Sequence, residues 1–336
     1  MGLFEQVTAL SFPLYNMQRY DQNNQNLGTL PITTINDQAG LQSRSILRSS
    51  FLALLIERVQ SLKIPLFFNH QLERISQDKT AIQLFFQDNI THTTQAVIGA
   101  DGRMNSNIRQ YLKDDNKPVF QNFINVLGVA NFSTQSAEAT VLDYWGVGER
   151  FGIVPVSQER AYWAAGWHCA EKTGLDKKTG SALIALLNAK FSQWPAQVQH
   201  LLKALDPNAI KALYIHDHDP CQNWSKGNVL MLGDAAHAAL PTSGQGACQA
   251  LEDAWWLATI VDEYGINATA FARFSEQRSA KTANVIQAGR ALARSIFNTD
   301  AHYCAQRNQQ SKAGNFEQSA IAMAHFWMQD LVASKG

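Results

Sequence analysis

The sequence predicts an α/β protein in which a mostly parallel sheet carrying a ligand site is interleaved with a mixed, largely antiparallel sheet. Three observations lead there. Two short apolar runs, residues 96–98 and 229–232, end in acidic glycine turns, Gly99-Ala100-Asp101-Gly102 and Gly233-Asp234, and a helical pattern follows each. Such strand–turn–helix units build parallel sheets, whose ligands lie beyond the carboxyl ends of the strands. Residues 119–168 read instead as consecutive strands rich in aromatic and β-branched side chains. At 336 residues the chain also exceeds one ordinary core.

In chain order, residues 23–26 read as a polar turn, and Ile46-Leu47-Arg48 opens an amphipathic helix running to residue 59. Strands are expected at 65–68, at 81–86 and in the run into Gly99, with Asp88-Asn89 as a turn between the last two. Four more follow at 123–130, 140–145, 151–156 and 161–167, then helical spacing at 181–191 and 196–205. After the second acidic turn, residues 247–261 and 268–296 are helical, the latter without a proline. This pattern divides the chain into a domain of residues 43–118 and 218–300 that carries the two acidic turns, a second domain of residues 1–42 and 119–217, and a C-terminal helical segment at 301–336.

The stretch from Gly233 to Gly246 carries the most chemistry. A buried strand delivers Asp234, Pro241 stiffens the loop, and Gly244 and Gly246 remove Cβ atoms from the start of the next helix. The first N–H groups of that helix lack intrahelical partners and sit at its positive end. A carboxylate and free N–H groups therefore converge, a pattern suited to a hydroxyl-rich, electron-poor ligand. The plainer reading is an Asp capping a helix and glycines turning the chain.

Composition narrows the classes. Lys and Arg balance Asp and Glu at 28 each, which argues against nucleic-acid or anionic-membrane partners. No apolar run approaches the roughly 20 residues that span a bilayer, and no signal-peptide core follows Met1. Cys169, Cys221, Cys248 and Cys304 lack CxxC spacing and fit reduced thiols of a cytoplasmic protein.

Residues 99–109 resemble the pattern GADGxxSxVR, and residues 233–253, with Gln245, Glu252 and Asp253, resemble GDAAHxxxPxxGQGxxxxxED. With the lead-in Asp219-Pro220, Trp224 and Gly227, these segments are similar to the flavoprotein monooxygenases that hydroxylate aromatic rings, the para-hydroxybenzoate-hydroxylase-like group, over roughly residues 40–295. The resemblance implies an FAD-binding, Rossmann-like three-layer domain interleaved with a substrate domain. It implies that NAD(P)H reduces the flavin and that O2 adds to give a hydroperoxide, which hydroxylates an aromatic or heteroaromatic small molecule. It assigns cofactor contacts to Arg48, Asp101, Gly102, Gly233, Asp234, Gly244, Gln245, Gly246 and Ala247. Asp234 would meet the ribityl hydroxyls, and the Gly244 to Ala247 N–H groups the flavin edge that becomes negative on reduction. Pro241 and Gly244 would border the reacting side, with no acid or base side chain assigned. Two alternatives are a reductase or halogenase on the same fold and an inactive remnant. A halogenase's tryptophan-rich motif and catalytic lysine have no counterpart here.

Two departures stand out. Ser106 falls five residues after Asp101, where the family pattern has four. No strand–GxGxxG–helix unit occurs; Gly146-Val147-Gly148 with Gly152 is a near miss with one residue too many. Three missing pyrophosphate hydrogen bonds would cost on the order of 5–8 kcal/mol, about four to six decades of affinity. The expectation is that this chain alone, as from a misplaced start codon or a fragmentary gene, binds FAD poorly, folds poorly, or both.

Other residues carry weaker expectations. His237 is read as a structural hydrogen-bond donor rather than a base, and Trp255 and Trp256 as core. His216-Asp217-His218-Asp219 alternates faces along a strand and lacks a third ligand, so no metal site is expected. Arg150 and Tyr162, on the substrate sheet, could anchor an acidic or phenolic ring.

Overall fold

The computed structural model describes residues 2–78, 81–133, 139–170 and 173–331. It falls into two compact units, one of Met1–Pro65, Asn122–Tyr214 and Ser295–Gly336, the other of Leu66–Gln121 and Ile215–Arg294. The chain opens with α1 (Phe4–Ala9), β1 (Phe12–Pro13), β2 (Asn16–Asp21), β3 (Asn26–Pro31), α2 (Ile32–Ala39), β4 (Arg44–Ser45) and α3 (Arg48–Ser61). In the second unit follow β5 (Leu72–Gln77), β6 (Ile82–Phe86), β7 (Thr91–Thr94), β8 (Val97–Gly99) and α4 (Asn107–Lys113). Next come β9 (Val119–Asn131), β10 (Thr140–Trp145), β11 (Glu149–Pro155), β12 (Arg160–His168), α5 (Gly180–Phe191), α6 (Ala196–Lys203) and β13 (Lys211–Asp217). The last elements are β14 (Ser225–Lys226), β15 (Val229–Met231), α7 (Asp234–His237), α8 (Gly246–Tyr264), α9 (Ala268–Ile296), α10 (Ala301–Ala313) and α11 (Phe316–Met328).

The first unit is built on a seven-stranded sheet of order β13-β9-β12-β11-β10-β2-β3. β9, β12, β11 and β10 pair antiparallel in turn, whereas β10 and β2 run parallel. Alternation along β11 and β12 separates the faces. Phe151, Ile153, Ala161, Trp163 and Ala165 are buried with Leu183, Leu187 and Phe191 of α5 and Val198 and Leu201 of α6. Each such large side chain contributes roughly 1.5–3 kcal/mol. The other face carries Arg150, Gly152, Val154, Tyr162 and Ala164, all half-buried. α11 packs on α2 and β3 through Leu30, Ile35, Ala320 and Ala324. A Cβ on Gly28, which has φ +126°, would sit 1.9 Å from the Phe316 ring. Residues 43–65 and 295–331 therefore group with the amino-terminal strands, because β4 pairs with β1 and α10 and α11 pack against β3.

The second unit has a core of Ile82, Ile108, Trp224, Val229, Leu230, Met231, Phe271 and Phe274. Its only described parallel pair is β8 with β15; β14 hairpins onto β15, and β5, β6 and β7 form a separate antiparallel sheet. The mostly parallel cofactor sheet expected from the motifs is thus limited to the two strands that carry them. β6 and β7 are joined by the expected Asp88-Asn89 turn, too short for a parallel crossover. The expected strand at 65–68 is absent. Leu66, Phe67 and Phe68 follow α3 in irregular, exposed backbone, and the run was too short for periodicity to tell strand from loop.

Candidate functional site

β8 and β15 lie side by side in parallel register, with Val229 opposite Val97 and Met231 opposite Gly99. The Leu232 N–H donates to the Gly99 carbonyl at 3.0 Å, extending the ladder one step. Both acidic turns thus leave the same end of adjacent strands, as the sequence implied for Asp101 and Asp234. Gly233 makes the turn with φ 59° and ψ −143°, a combination open to glycine alone. Asp234 then opens α7 with its side chain 42% exposed and no hydrogen bond among the described residues.

The start of α8 faces the same point. A Cβ on Gly246 would lie 3.8 Å from the Asp234 Oδ1, so the helix backbone approaches that carboxylate closely. Gly244, at φ +67°, has no atom within 4 Å of its Cβ position. Pro241 opens a short 3-10 turn ahead of it, and Gln245 is the N-cap of α8. The Gly246 and Ala247 N–H groups have no intrahelical acceptor. Carboxylate, free N–H groups and an open glycine wall suit a hydroxylated, electron-poor ligand that takes up negative charge at its edge on reduction, so the residues present fit a flavin nucleotide.

Asp101 also braces the start of α4. Its Oδ1 accepts from Ser106 Oγ at 2.6 Å and its Oδ2 from the Ile108 N–H at 3.1 Å. Ser106 in turn caps α4 by accepting from the Arg109 N–H at 2.9 Å. The extra residue between Asp101 and Ser106 is accommodated by Asn105 in the left-handed region, at φ 58°. Arg109 is buried and donates to the carbonyls of Ala235 and Ala236 at 3.1 and 3.4 Å, which ties α4 to α7. Gly102, at φ +80°, is unobstructed.

Behind the loop lies a buried ion network. Asp253 accepts the Gly233 N–H at 2.8 Å and His237 Nε2 at 2.6 Å on one oxygen, and Arg278 Nε at 2.8 Å on the other. Arg278 also binds Glu252 and Gln249, and Lys281 Nζ reaches Glu252 at 2.8 Å. Burial alone would raise the Asp253 pKa, but His237 and Arg278 outweigh it and hold the carboxyl below the usual range. His237 is therefore a partner of Asp253, in keeping with a structural hydrogen bond. Trp256 packs at the rim of the core, whereas Trp255 is 39% exposed, contrary to the core placement expected for both.

The His216-Asp217-His218-Asp219 run has other partners. Arg290 grips Asp217 through two nitrogens at 2.7 Å each and reaches Asp219 at 2.8 Å. His216 meets the Phe120 ring at 5.3 Å in a tilted contact, and His218 Nε2 donates to the Arg103 carbonyl at 2.8 Å. Burial pushes the His218 pKa down, keeping the ring neutral. Among the described residues no cluster of three or more His, Cys, Asp or Glu could hold a metal. Arg103, which no motif singled out, places Nη1 3.6 Å from Asp234 Oδ2, while its Nε is buried without a partner.

The remaining candidates belong to the first unit. Arg48 is the exposed first residue of α3. Arg150 and Tyr162 share the open face of β11 and β12, separated by the facing pair Gly152 and Ala164. A Cβ on Gly152 would touch only the Ala164 carbonyl, at 3.9 Å, so the floor between them is flat. Burial raises the Tyr162 pKa, partly offset by Arg150, so the phenol stays a donor. Asp143, invisible to motif reading, binds Arg150 Nε at 2.6 Å.

Paired motif strands, a glycine-walled helix start and an exposed carboxylate define a nucleotide-cofactor domain of the α/β class. An FAD binding domain family model matches residues 4–287, and the chain belongs to that family. The aurachin C monooxygenase/isomerase of Stigmatella aurantiaca is 35% identical over 193 residues, 57% of this chain and 49% of the relative. The FAD-dependent urate hydroxylase of Klebsiella oxytoca is 29% identical over 221 residues, 65% of this chain and 56% of the relative. The 6-hydroxynicotinate 3-monooxygenase of Bordetella bronchiseptica is 28% identical over 225 residues, 65% and 58% respectively. The chain spans about half the length of these curated relatives. The structure of Klebsiella pneumoniae HpxO with FAD and uric acid superposes with a TM-score of 0.86 at 22% identity, covering 95% of this chain and 81% of HpxO. The fold is therefore that of an FAD-binding monooxygenase, as the motifs implied.

Proposed function

We propose that the protein is an FAD-dependent monooxygenase that uses NAD(P)H and O2 to hydroxylate a heteroaromatic small molecule. The observation that carries this is the convergence of Asp234, the free N–H groups of Gly246 and Ala247, and the Asp101 turn at one end of β8 and β15. FAD, when bound, supplies the two-electron transfer and the oxygen activation. The chain's residues bind and orient. Asp234 accepts ribityl hydroxyls, the α8 N-terminus stabilises negative charge on the ring edge, and Gly102 and Gly244 leave room for a planar group. Arg48 is a further cofactor contact, and Pro241 borders the reacting side of the loop.

Arg150 and Tyr162 are the proposed substrate anchors. Four steps along β11 separate Arg150 from Val154, the partner of Tyr162, roughly 13 Å of strand. That interval over a flat Gly152–Ala164 floor suits one planar ring with polar atoms at both ends. The relatives named above as acting on urate and 6-hydroxynicotinate support rings of this kind. No helix among the described residues is long and apolar enough to cross a membrane. The four free cysteines support a cytoplasmic location.

The test is to titrate the protein with FAD, following flavin fluorescence, and then to record NAD(P)H and O2 consumption with urate, 6-hydroxynicotinate and simple phenols. FAD binding at any affinity, with ring-stimulated consumption and a hydroxylated product, supports the proposal. NAD(P)H oxidation that no ring stimulates and that yields no hydroxylated product contradicts it and favours a reductase.

A further inference from the structure

The face of β10 and β11 that carries Arg150 is buried on its β10 side, and it contains a charge arrangement that the substrate anchors alone do not explain. Asp143 is buried, 1% exposed, in a sheet face shared with three guanidinium groups. Its Oδ1 accepts from Arg150 Nε at 2.6 Å and its Oδ2 from Trp145 Nε1 at 2.9 Å, with Arg19 Nε at 3.8 Å. Arg19 lies over the Trp145 ring at 3.9 Å, and Arg307 approaches the same ring at 5.1 Å. Arg307 is committed to the carbonyls of Gly146, Ser295 and Ile296. Burial lowers the pKa of both Arg19 and Arg307.

Arg150 differs from the other two. It meets Asp143 through Nε alone, its side chain is 22% exposed, and among the described residues no acceptor meets its terminal nitrogens. A guanidinium held at Nε keeps a rigid, planar fork of terminal N–H donors for a second partner. One carboxylate amid three guanidiniums leaves an excess of positive charge, so that partner is an anion.

We propose that Asp143 is a positioning residue: it fixes the Arg150 fork so that the two terminal nitrogens take the anionic edge of the planar heteroaromatic substrate. This rests on the substrate site proposed above. Trp145 holds the second Asp143 oxygen, which fixes the carboxylate against rotation, and the small Gly152 and Ala164 floor leaves the ring room to reach the fork.

The experiment measures urate binding to the full chain by calorimetry, in the presence of FAD, for wild type, Asp143→Asn, Arg150→Met and the double variant. Far-ultraviolet circular dichroism and a thermal melt establish that each is folded. Asp143→Asn is expected to weaken urate 10- to 100-fold and to raise KM while kcat stays within about threefold, the signature of lost uniform binding. In the Arg150→Met background the Asp143 change is expected to add nothing, because its effect runs through Arg150. Should Asp143→Asn not fold, Arg150→Lys is the second variant. It keeps the charge without the fork and is expected to lose at least 10-fold. Additive losses in the double variant, or wild-type affinity in Asp143→Asn or Arg150→Lys, would overturn the inference. If wild type turns over urate while Asp143→Asn is unaffected, the inference fails and the hydroxylase reading stands. If wild type binds no ring, both fail.

Discussion

Replacing Asp253 with Asn probes what holds the cofactor loop in shape. The side chain is fully buried and serves three donors at once: the Gly233 N–H, His237 and Arg278. Asn is nearly isosteric, so no cavity contributes. Its amide can accept on one side only, which leaves a donor facing a donor. The surrounding ions change from two carboxylates against Arg278 and Lys281 to one carboxylate against the same two cations. Removing one member of a buried ion network costs about 3–5 kcal/mol, a large share of the roughly 5–15 kcal/mol that stabilises a domain. Urea denaturation at pH 7.5, followed by tryptophan fluorescence, should show a lower midpoint with an unchanged slope. A loss under about 1 kcal/mol would refute the view that Asp253 anchors the Gly233 turn. The depressed Asp253 pKa also fixes a sign. Its stabilisation is present above the unfolded carboxyl value and is lost as pH falls through the lower folded value, so wild type but not the variant should gain an acid-side loss.

Four further outcomes follow from the same geometry. Asp234→Ala removes charge-assisted acceptors worth roughly 1.5–3 kcal/mol each, so FAD should bind about 10- to 150-fold more weakly with little change in thermal stability, as read by flavin fluorescence titration. Gly233→Ala forces a side chain into a glycine-only conformation and should destabilise the protein by about 1–3 kcal/mol in urea, whereas Gly102→Ala meets no neighbouring atom and should be milder. His218, with its depressed pKa, favours folding above its unfolded value and loses that contribution as pH falls. Stability should therefore drop between pH 7 and 5 by at most about 1.4 kcal/mol per unit, and His218→Gln should flatten that slope. Gly28→Ala drives a methyl into Phe316 and should lower the melting temperature, with partial recovery in a Gly28→Ala, Phe316→Ala double variant.

Much of this architecture was legible because it is local. Residues 268–296 keep one helical period without a proline, and α9 spans that interval; β10 occupies Thr140–Trp145, as its aromatic and β-branched run indicated. The two acidic turns announced parallel neighbours, since a strand that ends in glycine and Asp before a helix leaves few other arrangements. The partners that arrive from far along the chain were illegible. No motif marks Arg278 and Lys281 on their long helix, yet they close a buried network 25 to 29 residues from Asp253, Glu252 and Gln249. Asp143 sits in a strand with no motif around it, and only its register beside β11 brings it to Arg150. The apolar run at 65–68 misled for the opposite reason. Four residues show no period, and Leu66, Phe67 and Phe68 lie exposed in the irregular stretch after α3.

The account stands on the β8–β15 end as a flavin cradle, and a crystal structure of the protein grown with saturating FAD tests that most directly. The expected map shows the ribityl chain within hydrogen-bond distance of the Asp234 carboxylate and the ring edge against the Gly246 and Ala247 N–H groups. Flavin bound elsewhere, with both Asp234 oxygens facing only solvent and Arg103, would contradict it.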